Sequence, residues 1–178
     1  APTDFPTESS QVADLNDLGQ AVGVAECSDG SYCAVHVDLT ADPIQYTSWL
    51  GHAAAVNNLN QVVGSVGSPE EAAFWKEPGA AATLLPPLPD VPFFPVPDAE
   101  WVGRDLLAVD INDDGIVTGL SLDEFEVENA DGSVSVLWTE TAVVWRVIVD
   151  GEGFVDVDGP LSLPPLLLVG HEQSNTTW

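Results

Sequence analysis

The chain has 178 residues, 45% of them hydrophobic, and carries 29 Asp and Glu against three Lys and Arg, giving a net charge of −26. This length is sufficient to bury one hydrophobic core. The charge excludes nucleic acid and disfavours anionic membranes as partners, because phosphate groups are bound by clustered Lys and Arg. A membrane span is not expected either, since no apolar run reaches about 18 residues.

Several features predict an extracellular protein. The chain contains no Met, and Ala1 is typical of the residue that signal-peptide cleavage exposes, although removal of an initiator Met alone would also expose it. Cys27 and Cys33 flank the segment 28–32, whose Asp-Gly pair favours a tight hairpin, so we expect a disulfide between them. Asn175 begins an Asn-Thr-Thr sequence and is a candidate glycosylation site.

One pattern occurs three times along the chain, as ADLNDLGQAVG (13–23), AAVNNLNQVVG (54–64) and AVDINDDGIVTG (108–119). Each copy places an Asn after an aliphatic residue and a Gly or Asn three positions later, before an aliphatic run that ends in Gly. We interpret the pattern as a strand, a tight turn and a second strand. The Asn side chain caps the turn, and the Gly or Asn tolerates the positive φ at which the chain reverses.

Other short motifs recur around these turns. They are the β-prone segments AVHV (34–37), AAFW (72–75) and AVVW (142–145), the LPPL sequence at 85–88 and 163–166, and the related WLGH (49–52), WVGR (101–104) and LVGH (168–171). Gly, Pro and β-branched residues interrupt every candidate helix. The predicted fold is therefore all-β, with three degenerate propeller-blade-like β repeats that form one antiparallel β domain with an extended C-terminal strand.

The recurrences divide this single domain into four parts. The first repeat covers 1–48, the second covers 49–100 with a Pro-rich segment, and the third covers 101–165 with an acidic insertion. A strand-like tail follows at 166–178.

The run Asn-x-x-Gly-Gln-x-Val-Gly, followed by an Ala-aromatic-x-Trp strand, resembles the HAF (His-Ala-Phe) repeats of extracellular proteins. The resemblance covers most of 12–145 in three degenerate copies, and the second copy matches both parts, with NNLNQVVG and AAFW. The first copy lacks the Trp, the third lacks the Gln, and the family's His falls on Cys33, Glu71 and Thr141. The resemblance implies a propeller-blade-like β repeat in an exported protein, with no defined chemistry.

One segment matches part of a calcium loop. Asp110, Asn112 and Asp114 have the spacing of its first ligands, and Gly115 follows them. The acid expected at the twelfth position would be Ser121, which cannot bind calcium as a carboxylate does. A structural turn is therefore the expectation here, and a calcium site is the alternative.

No arrangement in the sequence predicts catalysis. With 29 acids, a carboxylate pair suited to glycoside hydrolysis would arise by chance, and His36, His52 and His171 are isolated. We therefore expect a protein that is not an enzyme and has no cofactor. Six Trp residues are available to stack on sugars, but only Trp138 and Trp178 fall outside the recurring motifs, so core packing is the expectation for the other four.

The tail leads to the functional prediction. It repeats the start of a unit, LVGH, which the first repeat lacks, so it can complete either its own first repeat or that of another copy. Since an ordinary propeller has about four to eight blades, we expect pairing between copies.

The prediction is a secreted, non-enzymatic structural protein that forms a homopolymeric extracellular filament or matrix. Its copies would assemble head to tail by β-strand complementation through Leu166, Leu167, Leu168 and Val169. The alternative is a monomeric extracellular binding module, for carbohydrate or for calcium-dependent adhesion.

Overall fold

A computed structural model describes residues 9–27, 29–89 and 98–162. These residues form strands joined by turns and contain no helix, which confirms the all-β prediction. The strands are β1 (Ser10–Leu15), β2 (Gln20–Glu26), β3 (Tyr32–Asp38), β4 (Gln45–Leu50), β5 (His52–Val56), β6 (Val62–Val66), β7 (Glu71–Trp75), β8 (Thr83–Leu84), β9 (Glu100–Ile111), β10 (Ile116–Glu128), β11 (Val134–Val149) and β12 (Val155–Ser162).

The strands form three antiparallel sheets, each with four strands that are neighbours in sequence. Sheet 1 is β1–β4, sheet 2 is β5–β8 and sheet 3 is β9–β12. Tight turns join most successive strands, as the short Gly- and Asn-containing segments between them predict. Each sheet is thus a local meander that resembles one propeller blade.

The three sheets pack face to face in a row. We call the face that packs on the following sheet the leading face and the opposite one the trailing face. The leading face of sheet 1 meets the trailing face of sheet 2 in a core of Val22, Ala34, Ala53, Val56, Val62, Ala73 and Trp75. Sheets 2 and 3 meet in a larger core of Ala55, Val63, Ala72, Phe74, Leu85, Leu106, Ala108, Ile111, Val117, Val143, Trp145 and Val147.

Alternation of side chains along each strand explains how sheet 2 contributes to both cores. In β7, Ala73 and Trp75 point to one side and Ala72 and Phe74 to the other, and all four are buried. A run of apolar residues rather than an alternating pattern is the expected sequence of a strand covered on both faces.

The limits of the sheets differ slightly from those of the sequence repeats. Strand β4 ends at Leu50, so sheet 1 extends past residue 48 and includes Trp49, which packs on Trp75 with ring centroids 5.7 Å apart. Gly51, with φ of 122°, separates β4 from the first strand of sheet 2. The tail at 166–178, with the candidate assembly residues Leu166, Leu167, Leu168 and Val169 and the candidate glycosylation site Asn175, lies outside the described residues.

Cys27 and Cys33 form a disulfide, with their Cα atoms 5.8 Å apart, at the end of the hairpin between β2 and β3. The cross-link closes a short loop, so we expect its contribution to stability to lie near the lower end of the usual range of about 2–4 kcal/mol. In the part of the chain that the structure describes, no helix is long and apolar enough to cross a membrane.

Candidate functional site at the asparagine turns

The three recurring Asn residues cap three equivalent turns at the ends of β1, β5 and β9, the first strand of each sheet. The Oδ1 atom of Asn57 accepts hydrogen bonds from the backbone N–H groups of Leu59 (3.0 Å) and Gln61 (2.9 Å). The equivalent bonds occur at Asn16 and Asn112. The residue with positive φ in each turn is Gly19 (75°), Asn60 (61°) or Gly115 (74°). The turn structure predicted from the repeats is therefore confirmed.

In two of the three turns, those of Asn16 and Asn57, the other end of the Asn amide connects neighbouring sheets. The Nδ2 atom of Asn16 donates to the backbone carbonyl of Asn57 (2.9 Å), and the Nδ2 atom of Asn57 donates to the backbone carbonyl of Asn112 (3.0 Å). One side chain thus closes its own turn and holds the next turn in place. We call Asn16, Asn57 and Asn112 the asparagine row.

The residues that follow the row form a second line of contacts. The backbone N–H of Asp17 donates to Oδ1 of Asn58 (3.0 Å), and that of Asn58 donates to Oδ1 of Asp113 (2.8 Å). The Asn58 amide also donates to both carboxylates, at 3.2 Å and 3.0 Å. Each junction between sheets therefore pairs an Asp with an Asn, and no two carboxylates are brought together at this position.

Together the three turns line a polar surface pocket of about 290 Å³. Asn16 and Asn57 are buried in this arrangement, at 9% and 4% exposure, whereas Asn112 is exposed. The Nδ2 atom of Asn112 and the backbone N–H of Asp113 make no hydrogen bond with any residue that the structure describes. The row therefore stops at sheet 3 with its donors unused.

The calcium candidates lie on this same edge. One carboxylate oxygen of Asp110 accepts from the backbone N–H of Ile111 (2.8 Å), and Oδ1 of Asn112 caps its turn. Among the described residues, no group of three or more His, Cys, Asp or Glu side chains is placed to hold a metal ion. Asp110 and Asn112 thus use side-chain oxygens on backbone groups, and Asp114 is exposed beside them.

A buried histidine lies beside the row, between sheets 1 and 2. His36 in β3 is 8% exposed, and its Nε2 atom has no hydrogen-bond partner among the described residues. Burial lowers the pKa of His36, and this effect outweighs the nearby Asp38 carboxylate and the Asn60 side chain, which both raise it. The neutral imidazole is therefore the form that the fold favours.

We expect the free energy of unfolding to fall as the pH drops below about 6.5, the ordinary pKa of His. Between the lowered pKa of His36 in the folded chain and this ordinary value, the unfolded chain binds a proton that the folded chain resists. The contribution to stability is therefore complete above this window and is lost as the pH falls through it. Urea titrations between pH 7.5 and 5.5 measure the effect. His36→Gln should remove this part of the pH dependence, while His52→Gln, at a side chain that is 44% exposed, should keep it. Equal slopes for the wild type and His36→Gln would contradict the assignment.

A charged pair lies on the trailing face of sheet 3, away from the row. Nε of Arg104 is 2.7 Å from Oδ1 of Asp123, and their side chains are 12% and 0% exposed. Asp123 also accepts from Nε1 of Trp101 (3.1 Å) and Oγ of Ser121 (3.1 Å). No motif in the sequence predicts this pair. Two features of the sequence could have indicated it. Arg104 is one of only three basic residues, and Asp123 lies on the buried side of a strand whose side chains alternate between buried and more exposed.

The Trp residues divide into core and surface positions. Trp75 and Trp145 are both 1% exposed, and Trp49 packs against the core between sheets 1 and 2. Trp101 is 41% exposed although its motif recurs, and Trp138 is 48% exposed, so Trp138 is the described Trp most suited to a surface contact. Trp178 lies outside the described residues.

Comparisons with protein-family models, with curated proteins and with solved structures find no match for this chain. The resemblance to HAF repeats therefore stays a prediction.

Proposed function

We propose that this protein is a non-enzymatic structural subunit of an extracellular filament or matrix, in which copies associate head to tail through the segment 166–169. The observation that carries the proposal is the way the first LPPL sequence leaves sheet 2 and holds sheet 3. We call residues 85–88 the strap.

The strap is bound to both sheets. The backbone N–H of Leu85 donates to the carbonyl of Ala72 (2.8 Å), which continues the pairing of β8 with β7. The Leu85 side chain is 2% exposed in the core with sheet 3, and the carbonyl of Pro86 accepts from Nε1 of Trp145 (2.8 Å). The carbonyl of Leu88 accepts from Nη1 of Arg104 (2.8 Å). An LPPL sequence after the last strand of one sheet therefore fastens the next sheet.

The second LPPL sequence, at 163–166, directly follows β12 in the sequence, as the first directly follows β8. In the proposed filament it leads the apolar residues 166–169 onto a neighbouring copy. Each of these side chains contributes about 1.5–3 kcal/mol when fully buried, which is enough to support a lasting junction after the cost of ordering the segment.

Two further features support an extracellular structural role. A disulfide such as Cys27–Cys33 is typical of an oxidising compartment. Asp123, the most buried charged group among the described residues, is neutralised and hydrogen-bonded by Arg104, Trp101 and Ser121, so it is committed to holding sheet 3 together.

The experiment is sedimentation velocity with negative-stain imaging of the full chain over a range of NaCl concentrations. We expect filaments that increase with salt, because screening reduces the repulsion between copies of charge −26. Leu167→Asp should remain monomeric. The matched control Leu39→Asp, at a described Leu that is 50% exposed in a turn of sheet 1, should assemble like the wild type. A wild type that stays monomeric at high concentration and high salt would overturn the proposal.

The exposed Trp138 favours a second candidate, a carbohydrate-binding module. It lies opposite Glu124 in the β10–β11 pair, where an indole face beside a carboxylate suits a sugar ring and its hydroxyl groups. Quenching of Trp fluorescence by a soluble oligosaccharide, lost in Trp138→Ala of a monomeric protein, would favour this candidate over the filament.

A further inference from the structure

The edge of sheet 3 repeats the segment with which sheet 1 binds sheet 2. Sheet 1 presents Asp-Leu-Asn-Asp at 14–17, and sheet 3 presents Asp-Ile-Asn-Asp at 110–113. Both segments follow a β-bulge in the first strand of their sheet, at Ala13 and Val109, so they are placed alike relative to their sheets.

The first of these segments is bound to sheet 2. Asp14 accepts from the backbone N–H of Val56 (2.9 Å), Asn16 donates to the carbonyl of Asn57 (2.9 Å), and the N–H of Asp17 donates to Asn58 (3.0 Å). In the segment of sheet 3, the corresponding donors of Asn112 and Asp113 have no partner among the described residues. Sheet 3 therefore presents a surface suited to binding a following sheet, and the described residues contain no sheet that binds it.

Sheet 1 has the complementary acceptor. The carbonyl groups of Asn57 and Asn112 each accept two hydrogen bonds, one from their own turn and one from the Asn side chain of the preceding sheet. The carbonyl of Asn16 accepts only the turn bond from Gly19 among the described residues, which leaves its second lone pair for a donor.

We infer that sheet 3 of one copy binds sheet 1 of a second copy by continuing the asparagine row. Asn112 Nδ2 donates to the Asn16 carbonyl of the second copy, and the Asp113 N–H donates to the Asp17 carboxylate of that copy. This inference deepens the proposed filament, since the contact is heterologous and repeats without closing. It names a binding surface distinct from the segment 166–169.

Exposed apolar residues flank both sides of this contact. On the leading face of sheet 3, Ile148 is 43% and Leu161 is 70% exposed, while Leu15 and Val12 of sheet 1 are 56% and 69% exposed. Burial of such residues is what holds the two junctions within the chain. Ala21, Ala25 and Val35, at the centre of the trailing face of sheet 1, are already buried in the single chain, so the second copy contacts the edge that carries the turns and these exposed side chains.

The charges at this contact predict how it is regulated. Within the chain, Asn58 stands between Asp17 and Asp113 and separates the two carboxylates. Between copies, Asp113 would face Asp17 directly, so repulsion opposes the contact until salt screens it. Asp17→Asn would place an Asn opposite Asp113 of the other copy, as at the two junctions between sheets within the chain. This substitution should strengthen association by about tenfold, with a weaker dependence on salt.

Asn112→Asp tests the contact itself. The carboxylate can still close the turn, because Asp150 closes a turn of the same kind by accepting from the N–H groups of Glu152 and Phe154. The substitution removes the Nδ2 donor, so association should weaken by about tenfold or more while the melting temperature stays unchanged. The control Asn129→Asp adds the same charge at an exposed turn whose amide donates only to Ser133 and Ser135, and should associate like the wild type.

Sedimentation equilibrium at fixed salt, with thermal melting of each variant, separates the outcomes. If the wild type assembles, Leu167→Asp stays monomeric, and Asn112→Asp and Asp17→Asn assemble like the wild type, this inference is wrong and the filament stands. If neither the wild type nor Asp17→Asn associates, the proposed function fails. A clear loss of melting temperature in monomeric Asn112→Asp would show that the Asn112 amide is bound within its own chain, which also overturns the inference.

Discussion

Gly64→Ala should lower the free energy of unfolding by about 3 kcal/mol or more, because it places a methyl group where backbone already lies. A Cβ at Gly64 would collide with the carbonyl oxygen of His52 on the adjacent strand. The bulge at Ala54 shifts the pairing of β5 with β6 at this point and brings that carbonyl close. Both partners are main chain inside a sheet that is covered on two faces, so neither can move aside.

Urea unfolding followed by Trp fluorescence measures the loss. The control is Gly151→Ala, at a glycine with no positive φ and open space around its missing Cβ, which should change stability by less than about 0.5 kcal/mol. Gly23 and Gly119 have the same close approach, to the carbonyls of Gln11 and Leu107, so their Ala variants should resemble Gly64→Ala. A loss below about 1 kcal/mol at Gly64 would show that the bulge relaxes and would contradict the argument.

These glycines show what the sequence could and could not predict. The recurring pattern indicated that a Gly ends each repeat of the turn motif, and the strand–turn–strand interpretation was confirmed. It did not indicate why the Gly is needed, because the opposing carbonyl comes from a bulge of one residue in another strand. Register shifts of this kind depend on how two strands pair and leave little trace in either strand alone.

The WLGH and WVGR motifs show a second limit. Their similar letters suggested that Trp49 and Trp101 open equivalent units, but Trp49 lies in the last strand of sheet 1 and Trp101 in the first strand of sheet 3. The carbonyl that faces Gly64 belongs to His52, and the carbonyl that faces the equivalent Gly119 belongs to Leu107. His52 is therefore structurally equivalent to Leu107, whereas the motifs align it with Arg104. Strand β9 has 12 residues where β5 has five, so it begins earlier relative to the turn, and the motif falls at a different place in the fold.

The sequence predicted one of the two roles of the asparagine row. The capping role of Asn16, Asn57 and Asn112 follows from local chemistry, because an Asn side chain reaches its own backbone two and four residues on. The bonds between turns required knowledge that the sheets stack in chain order with their turns at one end. Once this is known, the similarity of 14–17 and 110–113 becomes informative, because it shows sheet 3 presenting the same contact surface as sheet 1.

Arg104→Met should destabilise the protein by about 3–5 kcal/mol, the usual cost of removing one partner from a buried ion pair. Among the described residues, Asp123, with 0% side-chain exposure, would keep only the N–H of Trp101 and the hydroxyl of Ser121 against its charge. The strap would also lose the bond from Arg104 to the carbonyl of Leu88.

The control for this prediction is Arg146→Met, which removes the same charge from an exposed position of β11 and should change stability by less than about 0.5 kcal/mol. The double variant Arg104→Met with Asp123→Leu removes both charges and should recover much of the lost free energy, because an apolar pair of similar volume needs no compensation. Urea unfolding of the wild type, Arg104→Met, Asp123→Leu and the double variant gives the coupling between the two residues as a double-mutant cycle. A coupling near zero would mean that the carboxylate of Asp123 is satisfied without Arg104, and that the pair does not hold sheet 3 and the strap together.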